Sequence, residues 1–161
     1  MDRKIMAALF AAVLLAAGAL LPGRVFAQTE NRAQFQAMYL KYLETEGFPA
    51  EIDEDGDILF RQEGRVYFII VNDSDPAYFQ ILFPNFWRIE SEADQQRAAA
   101  ACSEVNRTTK IARVFLVSSG RNTSIIADVL LPSPKDFSAV FSRMMGTIAT
   151  ARGKFLDEIR R

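Results

Sequence analysis

Between residues 57 and 131 the chain alternates runs rich in Phe, Ile, Val, Leu and Tyr with short polar stretches, and this pattern confines it to a fold built on an antiparallel sheet. The runs cover residues 57–62, 65–71, 77–89, 110–117 and 123–131. Glu63-Gly64 separates the first two, residues 72–76 the next two, and residues 118–122 the last two. Turns this short return a strand beside the one before it, so consecutive strands pair as a meander. Pro84 falls inside the third run and has no N–H to give to a ladder. That strand is therefore expected to lie at an edge of the sheet, or to bulge or end at Pro84.

Three segments carry helical spacing instead. Over residues 31–46, Phe35, Met38, Tyr39, Tyr42 and Leu43 recur every three or four residues, and Gly47 supplies a left-handed stop. Ser91, with an acid three residues later at Asp94, opens a second helix running to about Thr108; its inward candidates are Ala98, Ala101, Cys102 and Val105. Ser133 followed by Pro134 opens the third, and Phe137, Val140, Phe141, Met144, Ile148, Ala151, Phe155 and Ile159 form its apolar stripe. The expected order is α-β-β-β-α-β-β-α: an α+β domain with an antiparallel five-stranded sheet and three helices.

The strand pattern also bears on association. Val66, Phe68 and Ile70 point to one side of their strand while Tyr67, Ile69 and Val71 point to the other, so both sheet faces are apolar. Either helices cover both faces or a partner covers one. A homodimer through the second helix or the open sheet face is the leading expectation. The alternative is a monomer whose three helices divide between the two faces.

Ahead of this domain, Arg3 and Lys4 precede an apolar and small-residue run over residues 5–21, then Pro22-Gly23 and the small-residue pattern Val25-Phe26-Ala27. This is the layout of a secretory signal peptide over residues 1–27, with cleavage between Ala27 and Gln28. The expected location is the periplasm or the outside of a bacterial cell, with the membrane met only during export. Removing 27 of the 161 residues leaves 134, enough for one domain over residues 28–161. Three of the 19 basic and one of the 20 acidic residues leave with the leader, so the net charge is about −3, which argues against a nucleic-acid partner.

Residues 57–67, the run Tyr78-Phe79-Gln80-Ile81-Leu82-Phe83-Pro84-Asn85-Phe86-Trp87, and residues 99–110 with Val105-Asn106 and Thr109-Lys110 resemble the YbjN family of bacterial proteins. The resemblance spans nearly all of the domain. It implies a fold similar to that of type III secretion chaperones and a part in sensory-transduction regulation. Its motifs are packing and turn motifs, which speak to fold before activity. The export leader sets this chain apart from a secretion chaperone, which works in the cytoplasm.

The chemistry-bearing residues are few. There is no histidine, so neither a Ser-His-Asp triad nor a histidine-ligated zinc site can form. Cys102 is the single cysteine and reads as a small packed residue, with a redox thiol or an intermolecular disulfide as the alternative. Asp53-Glu54-Asp55-Gly56-Asp57 gathers carboxylates, but its glycine falls two places early for an EF-hand; it reads as a solvated turn, and neither a metal nor another cofactor is expected. Phe79, Phe83, Pro84, Asn85, Phe86 and Trp87 are the candidate binding residues, either as an exposed groove for an apolar ligand or extended peptide or as rings sealing the sheet against a helix. The expected function is that of a non-enzymatic exported binding or accessory protein holding a protein or peptide partner. A small-ligand sensor with a pocket near residues 83–87 is the first alternative; an enzyme using Asp53, Asp55 or Glu63 as acid and base is the second.

Overall fold

The computed structural model describes residues 23–117 and 120–161. Helix α1 (Gly23–Thr45) is followed by strands β1 (Ala50–Ile52), β2 (Ile58–Gln62), β3 (Arg65–Ile70) and β4 (Tyr78–Arg88). Helix α2 (Glu92–Thr108), strands β5 (Ala112–Leu116) and β6 (Asn122–Leu130), a 3₁₀ turn (Pro134–Asp136) and helix α3 (Phe137–Ile159) complete the chain. All pairings are antiparallel, in the spatial order β1-β2-β3-β4-β6-β5. The domain is α+β with three helices, as the sequence pattern requires.

Two details differ from expectation. The sheet has six strands, not five. β1 is only three residues long, too short to show a period, and it pairs with β2 across the acidic turn at residues 53–57. Helix α1 starts at Gly23 instead of Asn31, because no proline or glycine interrupts residues 24–31. Of the expected leader, residues 1–22 lie outside the described residues, and the Ala27–Gln28 bond falls in the helical backbone of α1. Among the described residues no helix is long and apolar enough to cross a membrane.

At Pro84 the structure takes the bulge among the expected alternatives. Strand β4 is central, between β3 and β6, and not an edge strand. The proline is accommodated by ending one ladder and bulging the other. Pairing with β3 stops at Leu82, and on the β6 side the register jumps from Phe83↔Ile125 to Trp87↔Thr123, so Pro84, Asn85 and Phe86 stand opposite Ser124 alone. Asn85 takes a left-handed backbone (φ 49°), which asparagine tolerates, and its freed N–H donates to Ser124 Oγ at 3.1 Å.

The core lies between the sheet and all three helices, which sit on the same face. Ile58, Phe60, Tyr67, Ile69, Phe79, Ile81, Phe83, Val114, Ile125 and Ala127 point into it from the strands. Tyr39 and Leu43 meet them from α1, Ala98, Ala101, Cys102 and Val105 from α2, and Phe137, Phe141, Met144, Ile148, Ala151 and Phe155 from α3. Ring contacts tie the layers together: Tyr39 lies against Phe79 and Phe137, and Phe60 against Phe141. Ser91 Oγ accepts the Asp94 N–H, the cap expected at the start of α2.

Candidate functional site

The aromatic stretch of β4 is divided between core and rim. Phe79 is fully buried under Tyr39 and Phe137, and Phe83 packs on Tyr67 with ring centroids 4.7 Å apart. Phe86 stacks on Phe83 and meets Phe155 edge-on, and Trp87 also rests on Phe155. The rings therefore seal the end of the sheet against α3, the second of the two readings above. Pro84 and Asn85 form the bulge, with Asn85 exposed. Just beyond the end of β4, an open cleft of about 820 Å³ is lined by charged and polar groups that include Arg88, Glu90, Gln95 and Arg121, not by these rings.

The carboxylates do not converge. Asp53 Oδ1 accepts the N–H of Asp55 at 3.0 Å and of Asp57 at 2.8 Å, shaping the β1–β2 turn. Asp57 Oδ1 accepts the Val71 N–H at 2.8 Å, and Arg32 of α1 lies 3.6 Å from it while donating to the Asp55 carbonyl. Burial raises the Asp57 carboxyl above its usual range, against the lowering pull of the Val71 N–H and Arg32. Glu63 occupies a different turn, paired with Arg65 at 2.9 Å. Glu63 and Gly64 both have positive φ (49° and 74°), the backbone of a tight two-residue hairpin. Cys102 is buried on the packed face of α2, and its thiol is pushed up to about 11 by that burial, so it stays protonated at neutral pH.

What remains as a surface is the side of the sheet away from the helices. Leu59, Val66, Phe68, Ile70, Leu82 and Ile126 point there, each only half-buried, and Phe115 is exposed. The partial burial comes from cross-strand neighbours shielding one another, since none of these residues packs against the core. Charged pairs border the apolar strip: Arg61 with Glu51 at 3.8 Å on one side, and on the other Asp128, which accepts hydrogen bonds from Tyr78 Oη and from Arg113. The alternation of β3 signals half of this surface; Leu59, Leu82 and Ile126 join it only once the strand register is known.

The edges differ in how they are protected. At β5 the side-chain amide of Asn106 imitates a neighbouring strand: its Nδ2 donates to the Val114 carbonyl at 2.9 Å and its Oδ1 accepts the Val114 N–H at 2.8 Å. The middle of that edge is closed to another backbone. At the opposite edge β1 is simply short.

No protein-family model and no curated protein sequence matches the chain. Among solved structures, an uncharacterized protein from Methanothermobacter thermautotrophicus is similar at 14% identity with a TM-score of 0.52, covering 78% of this chain and 96% of the other. That likeness is one of fold. The Yersinia pestis type III secretion chaperone SycH, solved in complex with a stable fragment of YscM2, aligns at 11% identity with a TM-score of 0.45, over 73% of this chain and 98% of its own.

Proposed function

We propose that the chain is a non-enzymatic binding or accessory protein of the bacterial cell envelope, delivered by its leader, that holds a protein against the helix-free face of its sheet. One observation carries the reading: among the described residues the three helices lie on one face and none covers the apolar strip of Leu59, Phe68, Leu82 and Ile126. The neighbouring observations support it. Asp53 and Asp57 are engaged with backbone N–H groups, and Glu63 stands apart from them at its own hairpin, so Glu63 does not pair with either as acid and base. The aromatic rings of residues 79–87 fill the space that a small-ligand pocket there needs. Membership of the YbjN family, and with it a regulatory role, belongs to the same reading and rests on the sequence segments that supply β2, β3, β4 and the end of α2.

The test compares envelope fractions from cells producing the wild-type chain or Phe68→Asp. The reading expects a mature N-terminus at Gln28 in both, and proteins retained by the wild type that the variant releases. An unchanged set of retained proteins overturns the binding face. A membrane-bound chain that still carries residues 1–27 overturns the export half.

A further inference from the structure

The helix-free face carries a pattern of its own. Direct cross-strand partners line up in one row across the whole sheet: Glu51 on β1, Leu59 on β2, Phe68 on β3, Leu82 on β4, Ile126 on β6 and Arg113 on β5. An acid stands at one end, a base at the other, and four apolar side chains lie between. Five strand spacings of ~4.8 Å hold Glu51 and Arg113 roughly 24 Å apart, so they cannot pair within one chain. We propose that the partner of this face is a second copy of this chain, packed sheet on sheet about a two-fold axis that runs along the strands. This rests on the reading of the face as a protein-binding surface, and it names the protein.

The row selects the axis. A two-fold rotation about the strand direction reverses the row, setting Phe68 on the second copy's Leu82, Leu59 on its Ile126 and Glu51 on its Arg113. Every apolar residue of the row then meets an apolar residue, and each terminal charge meets its opposite. A rotation about the row itself stacks Glu51 on Glu51 and Arg113 on Arg113, which is repulsive. Both end charges are well exposed, with side chains 67% (Glu51) and 59% (Arg113) accessible, and so can turn toward a second copy. The closed β5 edge and the short β1 edge do not favour edge-to-edge strand pairing as a competing route to self-association.

Sedimentation equilibrium on the protein isolated from its own envelope fraction tests this, with folding followed by far-UV circular dichroism. The wild type is expected to be a dimer. Phe68→Asp should weaken it by about 1,000-fold or more, the equivalent of losing two buried aromatics, one from each copy. Glu51→Arg should weaken it by about fivefold, the scale of the two rim ion pairs it breaks, and adding Arg113→Glu to the same chain should restore it. The register is read by cross-linking. A Glu51→Cys chain mixed with an Arg113→Cys chain should be joined by a short bis-maleimide, and neither chain should be joined to itself; Cys102 is buried and does not compete. If Phe68→Asp fails to fold, the charge swap and the cross-link, both made at exposed residues, decide alone. A monomeric wild type at every concentration, or self-cross-linking of the Glu51→Cys chain, overturns the proposal. If the wild type is monomeric yet Phe68→Asp releases a different protein that the wild type retains, the binding face stands and the second copy falls. If Phe68→Asp changes neither, both fall.

Discussion

The two faces of the sheet are built from the same kinds of residue and end in opposite situations. On the covered face Phe60, Ile69, Phe79 and Ile81 are fully buried under three helices, while on the other Leu59, Phe68, Ile70 and Leu82, their neighbours in sequence, shield only one another. Apolar content therefore does not decide which side of a strand becomes core. The helices do, and here the α2 and α3 stripes and the aromatic edge of α1 all turn to one side.

The comparison can be broken by truncating one ring on each face. Phe141 of α3 touches Tyr42, Phe48 and Phe60, and Phe141→Ala should cost about 3–5 kcal/mol in urea unfolding. Phe68→Ala, measured at dilution where one chain stands alone, should cost within about 1 kcal/mol. Equal losses would mean that the second face is also covered. Next in size is Tyr39, whose hydroxyl is pushed up to about 12 by burial among Phe79 and Phe137. Because the folded state holds that proton more tightly than the unfolded chain does, stability falls as pH rises from the ordinary tyrosine value toward 12. Tyr39→Phe should remove a share of that loss on the order of 2–3 kcal/mol in alkaline unfolding. Tyr78, on the other face, is also raised, but by its hydrogen bond to Asp128 first and burial second, so Tyr78→Phe should act through that bond more than through desolvation.

Smaller effects sharpen the contrast at the margins. Asn106→Ala leaves the Val114 N–H and carbonyl without their partner and should cost about 1–2 kcal/mol. The Val114 amide should then exchange hydrogen roughly tenfold faster, with the rest of β5 little changed. The smallest effect is expected at Asp57. Its carboxyl is raised by burial, so the folded state binds its proton the more tightly, and stability from this group is greatest below the usual carboxylate range and falls as pH rises through it. Asp57→Asn should flatten that slope in a series of urea midpoints, while the amide introduced there keeps an oxygen for the Val71 N–H.

Much of the architecture was legible because it is written in local periods. The stripe from Phe137 to Ile159, the Ser91 cap and the Glu63-Gly64 hairpin are each decided by residues within a few positions of one another. The aromatic segment shows the opposite case. Phe79, Phe83, Phe86 and Trp87 have the composition of a binding groove and of a sealed core alike, and only the arrival of Tyr39, Tyr67, Phe137 and Phe155 from distant parts of the chain puts the first two in the core and packs the other two against it. Pro84 shows the same limit: its missing N–H calls for an edge, a bulge or a strand end, and only the tertiary structure selects the bulge, with Asn85 left-handed inside a central strand. Strand β1 is not legible in the sequence, because three residues carry no measurable alternation.

The sequence by itself determined the element order, the caps and turns, the inward faces of the helices, and that both sides of the strands would be apolar, since each depends on spacing along the chain. The tertiary structure alone decided that the helices gather on one side, that β6 inserts beside β4, and that Glu51, Leu59, Phe68, Leu82, Ile126 and Arg113 stand in a single row. Those facts depend on register between strands far apart in sequence. A shift of one residue in any strand would turn its side chains to the other face and dissolve the row.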